Sequence, residues 1–342
     1  MNPGITPLGY QSASPAALVK GQTGLVVFGI ISILLGAGSG CMGLLAPIAL
    51  LIPQPQGAGR MQAGAIISGA VLYLGVAGGF IWLGVGSIRK RRWVRPIVLA
   101  VMSLALVVGV FTAIAAAFTA TNIQNFSVVA GPAPAPSATA MHVAVGVMIV
   151  TMLVFFVGLP AAFILFYRKP EVRAALEYFD PTPRWTDNCP IPVLVVSAGL
   201  VMAGASMLMT IPQGMAPFFG TLLTGAPAMG LLAIEAMAAL LLAFLTAKLR
   251  PGGWWGTVAF LVIYVAMVVP TSLRTDLSDL YANAGFTAEQ VKMMRQLKTF
   301  NGAGALMISV PMILLSLGYL LYVRKFFVAT RGSQRELPPI AE

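Results

Sequence analysis

Charge is what this chain has least of. Only 9% of its 342 residues are Asp, Glu, Lys or Arg, whereas a soluble domain carries roughly 25%. So little charge cannot cover a water-facing surface, which excludes a soluble fold and an intrinsically disordered one. Histidine occurs once, at His142. A haem held between two histidines of one chain is therefore ruled out, and so is a His-rich metal site. Two cysteines, Cys41 and Cys189, are too few for a disulfide scaffold. The chain also lacks an H-E-x-x-H motif, a G-x-x-x-x-G-K-S/T phosphate loop, a mid-span lysine and an intramembrane Asp pair. Acid–base chemistry needs titratable groups that can meet, and almost none are placed to do so. The expectation is a protein that is not an enzyme, with no catalytic residues, no metal and no cofactor.

Apolar sequence is what fills the chain. Hydrophobic residues make up 58%, and a bilayer core of about 30 Å is crossed by roughly 20 of them in a helix. Eight stretches qualify: 23–52, 62–88, 96–119, 142–167, 191–211, 227–247, 254–271 and 303–323. The fold expected is all-α, a polytopic transmembrane helix bundle. Gly36, Gly38, Gly40 and Gly43 invite the long first span to tilt or yield. The fifth and sixth spans are joined by an uncharged turn with Pro212 and Pro217. Small residues four apart (Gly36 and Gly40, Gly75 and Gly79, Gly199 and Ala203) would let helix backbones approach closely.

The basic residues set the orientation. Placing both termini in the cytoplasm puts 16 of the 21 Lys and Arg inside, as cytoplasmic loops retain positive charge. The net charge of +11 is thus a topology and lipid signal, divided among short loops, and no nucleic-acid partner is expected. The densest cluster, Arg89, Lys90, Arg91, Arg92 and Arg95, anchors the topology. It is also the candidate contact for anionic headgroups of the cytoplasmic leaflet.

Three landmarks recur in order. Ile52-Pro-Gln54 ends the first span and Ile211-Pro-Gln213 the fifth. Arg89 and Trp93 precede the third span, as Arg250 and Trp254 precede the seventh. Phe166-Tyr-Arg-Lys169 closes the fourth, and Tyr322-Val-Arg-Lys325 the eighth. The expected plan is two parallel four-helix repeats, 22–167 and 191–325. Around them lie an N-terminal tail (1–21), an interfacial linker (168–190) and a C-terminal tail (326–342), all cytoplasmic. An outer helical hairpin at 272–302 carries Lys292, Arg295 and Lys298 on one face, the candidate docking site for a membrane-protein partner.

The linker is the most distinctive polar segment. Pro170 suits a helix's first turn and Glu171 complements its dipole. Val172, Ala175 and Tyr178 or Phe179 would form an apolar stripe facing lipid, with Trp185 at headgroup depth. The run Asp180-Pro-Thr-Pro-Arg-Trp-Thr-Asp-Asn-Cys-Pro190, followed by Pro192-Val-Leu194, resembles a junction in uncharacterised bacterial polytopic inner-membrane proteins. That resemblance covers about 30 residues, and it implies a bacterial inner membrane and no particular activity.

One residue stands apart. Glu235 is the only acid or base well inside a predicted span. A carboxylate there costs several kcal/mol unless it is paired, hydrated or protonated, which makes it the ion or proton candidate. The alternative is a protonated Glu235 hydrogen-bonded to a neighbouring helix. Two functions stay open: an accessory, scaffold or interaction subunit, or a transporter of small or lipophilic solutes, or one coupled to protons, that uses Glu235.

Overall fold

The computed structural model describes residues 15–50, 60–120, 138–274 and 302–333. Eight helical segments in it are long and apolar enough to cross a membrane, from Val19–Ile48 to Ser309–Val328. The all-α, multi-pass architecture expected from the apolar runs is what the chain adopts. Residues 1–14, 51–59, 121–137, 275–301 and 334–342 lie outside the described ones. With them go Lys292, Arg295 and Lys298 and the first Ile-Pro-Gln landmark.

Helix α1 (Pro15–Leu45) runs unbroken through its glycines and ends in a 3₁₀ turn, Ala46–Leu50. It pairs antiparallel with α2 (Arg60–Ile88), and the reason is a glycine stripe seven residues apart. A methyl group at Gly29 would sit 2.7 Å from Ile88 Cγ1; one at Gly36 would sit 2.7 Å from Ile81 Cγ1 and 2.9 Å from the Ala77 oxygen. Gly43 meets Ala70 and Leu74 in the same way. The glycines expected to weaken this helix instead include the ones that seat it on its neighbour. Gly75 and Gly79 have no such role: nothing lies within 4 Å of a Cβ placed there.

The fourth span is composite. Helix α4 (Ala138–Met152) passes through a π turn, Leu153–Gly158, into α5 (Leu159–Tyr167). Pro160 lacks the N–H that the Phe156 carbonyl would accept, and its ring would clash with that oxygen in a regular helix. The turn widens and the carbonyl points at Gly109 of α3 (Val94–Ala120), where a Cβ would overlap it.

Beyond the linker helix α6 (Pro170–Phe179), α7 (Ile191–Thr210) pairs with α8 (Ala226–Ala247), which packs on α9 (Pro251–Arg274). Helix α10 (Gly302–Ser333) lies against α9, and α3 meets α7 to join the two halves. Between α7 and α8 the expected turn is a β-hairpin, β1 (Met215–Phe218) with β2 (Thr221–Thr224). Its two-residue loop, Phe219 (φ 43°) and Gly220 (φ 93°), has the positive φ of a primed turn. Pro217 faces Leu222 at a non-hydrogen-bonded pair, where a missing N–H costs no ladder bond.

The α2–α3 and α8–α9 turns match residue for residue. At the first, Lys90 (φ 54°) donates to Ser87 O at 2.9 Å, and Arg91 to Gly86 O at 2.9 Å. At the second, Leu249 (φ 54°) donates to Thr246 O at 2.9 Å, and Arg250 to Leu245 O at 3.1 Å. Both are left-handed caps with the paired bonds of a Schellman motif, reached without the usual glycine. The packing of α1 and α7 keeps a different spacing: Gly204 meets Ala236 and Leu240 as Gly36 meets Ala77 and Ile81.

Candidate functional site

Two places bear on function: the linker and the α2–α3 turn on one face of the bundle, and Glu235 within it. The first is an ionic clasp. Arg92 Nε lies 3.0 Å from Asp187 Oδ2, and its Nη2 lies 3.7 Å from Glu177 Oε1. Its backbone N–H donates to Asp180 Oδ2 at 3.2 Å, while the Thr182 hydroxyl donates to Asp180 Oδ1 at 2.8 Å. Asp187 also accepts the Arg184 N–H at 2.8 Å, closing the segment on itself. Arg173 holds Glu177 at 2.8 Å, one helical turn away. Four of the ten acids in the chain, Glu171, Glu177, Asp180 and Asp187, fall within this linker.

Asp180 is buried among these donors. Burial by itself would favour its neutral form, but the Thr182 hydroxyl, the Arg92 N–H and the charges of Arg184 and Arg91 outweigh that. Together they hold its carboxyl below the usual range. Nearby Cys189 is a buried thiol, pushed up to about 11 by desolvation.

The five basic residues of the turn therefore do not form one exposed patch. Arg92 belongs to the clasp, and Arg95 Nε donates to the Tyr167 carbonyl at 3.0 Å. Lys90 sits 3.8 Å above the Phe179 ring, a cation–π contact. Arg89 and Arg91 remain exposed. The linker helix also turns differently from expectation. Val172, Ala175 and Leu176 are its buried residues and pack into the core with Leu25 of α1 and Tyr167 of α5. A methyl at Gly21 of α1 would lie 2.7 Å from the Glu171 carbonyl, so the two helices touch at their backbones. Tyr178 (68% exposed) and Trp185 (55% exposed) point outward. The stripe expected to face lipid is docked on protein because α1 offers it a glycine.

Beneath the clasp, a buried polar node ties three helices. Ser87 donates to the Leu25 carbonyl at 2.9 Å, so at 2.7 Å it is the Tyr167 hydroxyl that donates to Ser87. In the second half Trp254 Nε1 donates to the Leu320 carbonyl at 2.8 Å, and Tyr319 OH to the Pro192 carbonyl at 3.1 Å.

Glu235 lies on the packed face of α8, in the row Ala228, Leu232, Glu235, Ala236, Ala239, Ala243 and Thr246. It is 9% exposed. Among the described residues no hydrogen bond or ion pair reaches it, so the expected bond to a neighbouring helix does not form there. Its electrostatic neighbour is Tyr264 of α9. At the spacing of the two matched turns the position level with Glu235 in the first half is Val76. Among the described residues no three His, Cys, Asp or Glu side chains come together as a metal site. No family model, curated protein or solved structure matches the chain.

Proposed function

We propose that this chain is a non-enzymatic accessory, scaffold or interaction subunit of a bacterial inner membrane, with the linker face in the cytoplasm. The clasp is the observation that carries the reading. Arg92, Glu177, Asp180 and Asp187 are consumed in shaping the linker, and the outcome is a fixed polar surface presenting Tyr178, Thr182 and Trp185. Surface aromatics held on a rigid support suit protein contact, because little side-chain entropy remains to be lost on binding. The excess of Lys and Arg on this face supports its cytoplasmic placement, where Arg89 and Arg91 face anionic headgroups. The matched turns support the descent of both halves from one four-helix unit.

Photo-crosslinkers placed at Tyr178 and at Trp185 of the full chain in native membranes test this. The expected result is one common polypeptide trapped from both positions and lost in Arg92→Ala. Trapping of lipid alone from both would overturn the interaction reading.

Glu235 favours a second reading, a transporter of small or lipophilic solutes or one coupled to protons. In that case Glu235→Gln would stop pH-dependent uptake in proteoliposomes; unchanged uptake would remove Glu235 from the pathway.

A further inference from the structure

The surroundings of Glu235 decide what it can hold. Helix α8 is packed by α7, α9, the β-hairpin and the Ile211–Gln213 turn. Across all of these the only titratable or charged side chains are Tyr264 and Arg274, both on α9. Arg274 ends that helix and lies against Gly220 of the hairpin, within 3.0 Å of a Cβ placed there. On α8's own flank, Lys248 is thirteen residues away, about 20 Å along the helix. Among the described residues no cation therefore faces the carboxyl.

Helix register places Tyr264 opposite. A Cβ at Gly256 would collide with Leu242, which fixes the antiparallel contact of α8 and α9. Seven residues back from Leu242 is Glu235, and seven on from Gly256 is Ile263, beside Tyr264. The neighbouring contact gives Tyr264 itself: a Cβ at Gly253 would lie 2.7 Å from the Thr246 nitrogen, and equal steps along the two helices from that pair lead to Tyr264 and to Glu235. Glu235 is the tenth residue of a 22-residue helix, about 14 Å from its first residue and so near the middle of the span.

We propose that Glu235 is a membrane-embedded proton-binding site in the α8–α9 seam, with Tyr264 as its titratable neighbour. A carboxylate in this seam would be an unpaired charge in an apolar medium, whereas the acid carries no net charge and only polar atoms to satisfy. A hard metal cation is a poor occupant, since such ions take about six or more oxygen ligands. At the level of Glu235 the side chains of the seam offer one carboxyl and one phenol, the Thr246 and Thr257 hydroxyls lying farther along it. The proposal rests on the same carboxyl as the transport reading, but its test is separable, because the proton is detected whether or not a solute moves.

The experiment is infrared difference spectroscopy of the full chain in liposomes, Glu235 protein against Glu235→Gln, from acid to alkaline pH. The expected spectrum at neutral pH holds a protonated-carboxyl C=O stretch that is lost in Glu235→Gln and shifted in frequency in Tyr264→Phe. A carboxylate band alone at neutral pH would overturn the proposal. A second measurement needs no variant: dicyclohexylcarbodiimide attacks protonated carboxyls in apolar surroundings. The expected adduct maps to Glu235 and falls as pH rises; a yield that does not change with pH counts against a titrating proton. Uptake that fails while the band persists would sink transport and leave the proton site standing.

Discussion

At the scale of single residues, the decisive contacts join positions far apart in sequence. Arg92 and Asp180 are 88 residues apart, so no local pattern could pair them. The basic run and the acids of the linker are each visible in the sequence; their meeting is a property of the fold. Glu235 was legible because one acid among apolar residues needs no partner to be noticed, but its neighbour Tyr264 is set by helix register. The clasp also implies a pH dependence. Asp180 titrates below its ordinary value, so its contribution is fully present above about 4 and is lost as pH falls from there through the depressed value. The protection of 180–190 against hydrogen exchange, taken relative to the intrinsic amide rate at each pH, should therefore fall on acidification below about 4. Arg92→Ala should produce the same loss of protection at neutral pH, and Arg89→Ala should not, because Arg89 is exposed. Equal effects from the two substitutions would mean that the clasp does not hold the linker.

At the scale of elements, apolar runs gave the spans to within a few residues, since a helix in lipid must satisfy every backbone group internally. What they could not give is where a helix is interrupted. Pro160 was visible, yet its consequence, a π turn aimed at Gly109, depends on α3 offering a residue without a side chain. The β-hairpin is not legible in the sequence because a proline such as Pro217 ordinarily breaks a strand; it is tolerated here because it falls at a non-hydrogen-bonded pair of an edge. The glycine stripe on α1 yields a sharp comparison. Gly36→Leu should overpack the α1–α2 contact and destabilise by about 1–3 kcal/mol. Gly38→Leu, where nothing lies within 4 Å, should be close to neutral. Thermal unfolding in detergent measures both, and equal losses would contradict the packing.

At the scale of the whole molecule, α1, α3, α5 and α6 share one core with Leu83 of α2. A second core near the linker gathers Ala100 of α3, Cys189, Val193, Trp254 and Val323. That second cluster crosses between the halves, so the linker stands where the halves meet and is fixed to both. The surface is otherwise apolar, with Leu34, Val147, Leu241 and Leu314 among the large exposed side chains, as lipid contact requires. Everything proposed for the linker surface and for Glu235 depends on eight crossings that leave the linker and the β-hairpin on opposite sides. A membrane-impermeant maleimide tests this in a chain whose Cys41 and Cys189 are replaced by Ser, carrying either Thr182→Cys or Phe219→Cys. Thr182→Cys should react only from the cytoplasmic side and Phe219→Cys only from the other; labelling of both from one side would contradict the account.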